Sequence, residues 1–93
     1  MTHGEVLRMF RIATNYSING LSIQCELHPD TLSRLEHGKI KVTPRVIGVL
    51  ADTYGIYSVS MTRMFRELSD YDIEKRADYE EALFKILNLI LHK

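Results

Sequence analysis

The sequence has little cysteine and proline, no tryptophan, and no excess of either charge. Its one cysteine, Cys25, cannot form an internal disulfide, and it completes no zinc-ligand spacing with the four scattered histidines. The longest apolar stretch, Ala82 to Leu91, is far shorter than the roughly 20 residues that span a bilayer. No charged leader followed by an apolar run opens the chain. We therefore expect a cytoplasmic protein of one compact domain, without a metal, a cofactor or a membrane partner.

The residue patterns of common enzymes are also missing. We find no glycine-rich phosphate loop, no nucleophile beside a plausible base and no pair of carboxylates converging on a cleft. The 12 basic and 12 acidic side chains cancel, and the pI is near 6.9. No global field then attracts nucleic acid or a membrane surface, so any binding signal must be local. We expect no enzymatic activity.

What the sequence does contain is helical periodicity with well-marked helix starts, and no sustained apolar/polar alternation that would indicate strands. Thr2 and Glu5 have the spacing of a capping box at the start of a first helix, which ends near Asn15. Ser17 is a suitable N-cap for a second helix over about 17–25. Pro29 pre-sets the first turn of a third helix over about 29–36. These signals predict an all-α protein.

The second half of the chain contains the same kinds of helix-start signal. Thr43 followed by Pro44 predicts the start of a fourth helix, and a fifth is expected to begin after Ser60 and to end near Leu68. Ser69 and Asp72 again have capping-box spacing, which predicts a final helix that starts just after them. We divide the chain into a domain over 1–68 and a C-terminal helix over 69–93.

Helices 2 and 3 are each about two turns long and are joined by only three or four residues. Neither can bury its apolar side alone, so they must cross steeply over a shared core, and Ser22 is small enough to allow the crossing. This is the geometry of a helix-turn-helix. We expect Gly38 to close helix 3 in the left-handed conformation, and Cys25 to be a small buried apolar residue.

The run "YSINGLSIQCELHPDTLSRLEHGKI", preceded by "LRMFR" and followed by "TPRVIGVLADTYGI", resembles the Cro/CI repressor-like (XRE-type) helix-turn-helix family. The resemblance covers about Val6 to Ile56, and its most diagnostic parts are "LSRLEHGK" and the register of helix 4. It implies five helices, with helix 3 in the major groove of DNA. The chain departs from the family pattern at Ile18, where glutamine commonly contacts phosphate, and at Glu26, where glycine is frequent and which we expect at positive φ.

The resemblance places four side chains of helix 3 at the bases: Asp30, Thr31, Ser33 and Arg34. Arginine can present two donors to guanine, so Arg34 is the most informative of them. An acid in the first turn of a helix is equally well explained by the helix dipole, so Asp30 has two interpretations. We assign phosphate contacts to residues near both ends of the helix pair: Ser17, Asn19, His37, Lys39, Lys41 and Arg45. The resemblance further implies that Arg11 and Glu36 form a structural ion pair that locks helix 1 to helix 3.

The C-terminal helix is apolar around most of its circumference, and a helix of this kind is normally buried on all sides. We expect it to pair with a second copy of the chain. The predicted dimer interface consists of Leu83, Phe84, Leu87, Ile90 and Leu91. The alternative is that this helix folds back across helices 1 and 5 and is buried inside one subunit.

Two functional interpretations remain at this stage. The first is a dimeric transcriptional regulator, expected to be a repressor, that binds a short palindromic operator in double-stranded DNA. The second is a protein-interaction module on the same scaffold, antitoxin-like or regulator-binding, that has weak or lost DNA binding; a protein antagonist is then the candidate partner.

Overall fold

A computed structural model describes residues 1–92, which form six helices and no strand. The all-α prediction is confirmed, as is a helix-turn-helix followed by an additional C-terminal helix. The helices are α1 (His3–Ala13), α2 (Ile18–Cys25), α3 (Pro29–Glu36), α4 (Pro44–Tyr54), α5 (Ser58–Glu67) and α6 (Arg76–Leu91).

Four of the six helix starts follow from local capping signals. The amide of Glu5 donates to the Thr2 hydroxyl at 3.1 Å, and its carboxylate accepts from the Thr2 amide at 2.8 Å, which completes the predicted capping box. Ser17 and Thr43 each accept a hydrogen bond from the amide three residues ahead. Pro29 and Pro44 occupy the first position of α3 and α4. Side-chain caps of this kind satisfy amides that have no partner within the helix.

The two remaining starts were predicted wrongly. Helix α5 begins at Ser58 rather than after Ser60, and its N-cap, Tyr57, makes no side-chain cap hydrogen bond. No local signal therefore marks this position in the sequence.

The predicted capping box of Ser69 and Asp72 does not form. The Ser69 hydroxyl donates to the carbonyl of Arg66 at 2.9 Å, so it serves the end of α5. The carboxylate of Asp72 accepts from the amide of Glu74 at 2.9 Å and closes a local turn. Because both side chains form other hydrogen bonds, neither caps a helix here, and α6 starts only at Arg76.

The core is centred on α1, which packs against α3 and α6, while α4 packs against α5 and α2. Every helix contributes to it. Six large side chains that are at most 2% exposed, one from each helix, illustrate this: Phe10, Leu21, Leu35, Leu50, Met61 and Ile86. Burying one such side chain stabilises the fold by roughly 1.5–3 kcal/mol. Leu35 belongs to α3, so this core holds α3 against α1.

The residues of the predicted dimer interface lie on two different sides of α6. Ala82 and Ile86 are fully buried, and Leu83 and Ile90 pack against the core, so this side of the helix lies on its own subunit. Phe84 and Leu91 are 70% and 73% exposed, and Leu87 between them is half-buried. Leu83 and Ile90 thus pack at least in part within their own subunit, because α6 lies along α1, and their place in a dimer interface stays a prediction. No helix within residues 1–92 has the length and apolarity to cross a membrane.

Candidate nucleic-acid interface

The crossing of α2 and α3 is set by a three-residue turn, Glu26 to His28. Glu26 has a φ of 60°, the left-handed conformation expected from the sequence, at a cost of roughly 1–2 kcal/mol for a residue with a Cβ. Its amide donates to the carbonyl of Ser22 at 2.9 Å. The Ser22 hydroxyl in turn donates to the carbonyl of Leu27, so Ser22 contributes a hydrogen bond to the turn as well as a small side chain.

Helix α3 buries one side and presents the other to solvent. Leu32 and Leu35 are 2% and 1% exposed and hold the helix on the core. Asp30 and Arg34 are exposed on the outer side, whereas Thr31 and Ser33 are half-buried at its edges. The outer surface therefore carries one cation and one anion, about one turn apart.

The end of α3 is closed by a tight hydrogen-bonded turn. Gly38 has a φ of 72°, its amide donates to Leu35, and the amide of Lys39 donates to the carbonyl of Arg34 at 2.8 Å. This is the Schellman pattern, which glycine favours because it has no Cβ. It turns the chain sharply and places Lys39 directly beyond the last turn of α3.

The predicted phosphate-binding cations lie on the surface after α3. Lys39, Lys41 and Arg45 are exposed, and none has an acidic partner within 4 Å among residues 1–92. His37 is exposed too, but its Nδ1 lies 2.8 Å from the carbonyl of Ser33 and must be the donor, since a carbonyl only accepts. A contact from Nε2 of His37 to a phosphate therefore requires the doubly protonated ring.

The start of α2 offers donors to an anion as well. The Ser17 hydroxyl oxygen accepts from the amide of Gly20 at 2.9 Å, which leaves its proton free to donate. The two amides that precede Gly20 in the first turn have no acceptor within the helix. Asn19 is exposed beside them.

Arg11 and Glu36 are paired in the structure. Nε and Nη2 of Arg11 donate to the two carboxylate oxygens of Glu36 at 2.7 and 3.0 Å, while Nη1 donates to the carbonyl of Tyr16 at 3.0 Å. The side chains are 17% and 6% exposed. The hydrogen bond to Glu36 raises the pKa of Arg11, partly offset by desolvation. One guanidinium thereby ties α1 to the end of α3 and to the residue before Ser17.

Two features of the surface do not follow from the sequence patterns. Tyr57 and Val59 at the start of α5 are 78% and 63% exposed, and Ile23 on α2 is 76% exposed. A groove of about 650 Å³ beside α3 is lined by Ser33 and His37 and also by Glu74, far along the chain. No pattern in the sequence distinguishes these exposed apolar residues from core residues, and the groove depends on a segment that was predicted as helix.

Among residues 1–92, no three histidine, cysteine, aspartate or glutamate side chains group closely enough to hold a metal ion. Comparison with known families gives a match to the helix-turn-helix domain over residues 4–64, which includes the whole of the Cro/CI-like resemblance. No curated protein and no solved structure gives a significant match to the chain. The matched range contains α1 from its second residue, the whole of α2, α3 and α4, and most of α5.

Proposed function

This chain belongs to the helix-turn-helix domain family, and from that premise we propose that it is a sequence-specific transcriptional regulator that binds double-stranded DNA. Helix α3 enters the major groove, with Asp30, Thr31, Ser33 and Arg34 toward the bases. The observation that carries the proposal is the exposed outer side of α3, with Arg34 on it and unpaired cations beyond its end.

Sequence readout rests mainly on Arg34. An exposed guanidinium on the groove side can donate twice to a guanine, which discriminates against other bases by roughly 1–3 kcal/mol. Asp30 is also exposed, and its place in the first turn of α3 supports a helix-dipole role beside any contact with cytosine.

Affinity comes from the phosphates on both sides of α3. Lys39, Lys41 and Arg45 can bind the phosphates of one segment of the DNA backbone, because none of them forms an ion pair with a carboxylate of residues 1–92. Ser17, Asn19 and the free amides of α2 suit a second segment. His37, exposed at the end of α3, is a further candidate contact. The proposed function is binding alone, and we propose no enzymatic activity.

We further propose that the protein acts as a homodimer, as a repressor of a near-palindromic operator in the cytoplasm. The exposed residues Phe84 and Leu91 and the half-buried Leu87 lie three and four positions apart, so they form one apolar stripe on the outer side of α6. Pairing this stripe with its copy would remove it from water and provide two α3 helices. Helices about 34 Å apart would reach successive turns of the major groove.

The experiment that tests the proposal is selection of bound duplexes from a random DNA pool, followed by titration of one enriched duplex across salt concentrations. We expect enrichment of a short sequence with twofold symmetry. The logarithm of the association constant should fall linearly with the logarithm of the salt concentration, since each phosphate contact releases a counterion. If the protein binds no duplex from the pool at 50 mM salt, the proposal is refuted.

A second candidate function is the protein-interaction module. The exposed side chains of Tyr57 and Val59 favour it, because large apolar residues exposed on a surface can mark contacts with a protein. The same selection separates the two functions, since a module that binds only protein shows no salt-dependent binding to duplex DNA.

A further inference from the structure

The segment between α5 and α6, residues 69–75, is held against the domain in a defined conformation; we name it the acidic strap. Tyr71 and Ile73 pack against the core, and Nζ of Lys85 lies 5.9 Å from the centre of the Tyr71 ring. The amide of Asp72 donates to the carboxylate of Asp78 at 2.9 Å. Contacts with α6 and the core thus fix the direction of the strap.

The strap borders the surface that the proposed function gives to DNA. Ile73 and Glu74 line the groove of about 650 Å³ together with Ser33 of α3, with His37 directly after α3, and with Ile18, the first residue of α2. Arg8 of α1 lines the same groove and has no acidic partner within 4 Å in the described part of the chain. Glu74 therefore belongs to the groove that contains an unpaired cation and the free amide end of α2.

The net charge is zero, but basic and acidic side chains are concentrated in different parts of the chain. Residues 1–66 contain eight basic and five acidic side chains, whereas residues 67–81 contain seven acidic and two basic ones. The strap lies within this acidic stretch. Glu74 is the acid of the strap that both lines the groove and is exposed to solvent at the side of α3.

We propose that the acidic strap opposes DNA binding, with the carboxylate of Glu74 at the place where a backbone phosphate approaches Arg8 and the start of α2. This inference rests on the proposed function. A carboxylate within a few ångströms of a phosphate repels it, and it also weakens the attraction between that phosphate and Arg8. Glu5 and Glu36 line the same groove, but the carboxylate of Glu5 accepts from the amide of Thr2 and that of Glu36 binds Arg11, so we assign the effect to Glu74.

The test compares two variants that remove the same charge from the same segment. Glu74→Gln keeps the shape of the side chain in the groove, and Asp70→Asn removes an exposed acid that does not line it. Binding of each full-length protein to a non-specific 20-base-pair duplex is measured by fluorescence anisotropy at 50 and 300 mM salt. Circular dichroism and thermal unfolding verify that both variants fold.

We expect Glu74→Gln to bind about threefold to tenfold more tightly than wild type at 50 mM salt, with a smaller difference at 300 mM. Asp70→Asn should change affinity by less than about twofold, because an exposed charge outside the groove is screened. Equal tightening by both variants would overturn the strap proposal in favour of net charge, and weaker binding by Glu74→Gln would overturn it as well. If wild type and both variants bind no duplex, the proposed function fails, and the strap proposal fails with it.

Discussion

Gly4 of α1 lies directly against the end of α3, so close that a Cβ on Gly4 would be 2.5 Å from the carbonyl oxygen of Glu36. Real Cβ atoms do not approach a backbone oxygen this closely. The contact allows α1 to cross α3 at the residue whose carboxylate binds Arg11. Glycine at this position therefore determines the depth at which the DNA-facing helix sits on its support.

Gly4→Ala should destabilise the protein. The added methyl meets backbone atoms of α3, which can move only if the helix shifts, and overpacking of this kind costs roughly 1–3 kcal/mol. Gly48→Ala is the matched control, since a Cβ there has nothing within 4 Å and alanine favours the helix by up to about 1 kcal/mol. Urea unfolding should give a lower midpoint for the first variant and an equal or higher midpoint for the second.

Glu36→Ala should destabilise the fold by about 3 kcal/mol, because it leaves the mostly buried guanidinium of Arg11 without its carboxylate. Glu80→Ala breaks the other ion pair of residues 1–92, Arg76 with Glu80, whose side chains are 92% and 62% exposed. Its denaturant midpoint should hardly change. A Glu36→Ala midpoint as high as that of Glu80→Ala would contradict the structural role of the Arg11 pair.

Stability should fall at high pH through Tyr54. Burial raises the pKa of Tyr54 well above its usual value near 10, only partly offset by the hydrogen bond with Thr14. The unfolded chain then loses this proton first, so the stabilisation is complete below pH 10 and is lost as the pH rises toward the folded-state pKa. Urea midpoints at pH 9 and pH 11 should differ less in Tyr54→Phe than in wild type. An equal decline in both proteins would contradict the assignment.

The dimer proposal predicts different results for two exposed apolar positions. Phe84→Glu places a charge in the proposed α6 interface, where it would lack water and a partner, so it should yield a folded monomer. Ile23→Glu changes an equally exposed residue on α2 and should leave the dimer intact. Sedimentation of each protein at tens of micromolar, without DNA, measures this. Wild type that sediments as a monomer would contradict the proposed interface.

The helix starts that were predictable from the sequence are those with a local cap. Thr2 with Glu5, Ser17 and Thr43 bond to amides within three residues, so short-range spacing is sufficient to locate them. Ser69 and Asp72 have the same spacing, yet Ser69 bonds backward to α5. Spacing alone does not show which neighbouring helix a hydroxyl serves, and the strap was therefore predicted as helix.

Contacts between distant parts of the chain were beyond the sequence patterns. The approach of Gly4 to Glu36 depends on how α1 crosses α3, and the entry of Glu74 into the groove depends on where α6 begins. Helix α6 illustrates the same limit. Its apolar residues indicated a second body, but only the packing of Ala82 and Ile86 shows which side faces its own core. The helix-turn-helix itself was predictable, because family resemblance and capping signals agree there.

The measurement that most directly tests DNA reading by α3 compares Arg34→Ala with Lys39→Ala on the duplex enriched from the random pool and on single-base variants of it. We predict that Arg34→Ala loses preference at one base pair, at roughly 1–3 kcal/mol, whereas Lys39→Ala binds all the duplexes more weakly by a similar factor. Unchanged affinity and unchanged base preference in Arg34→Ala would contradict the account.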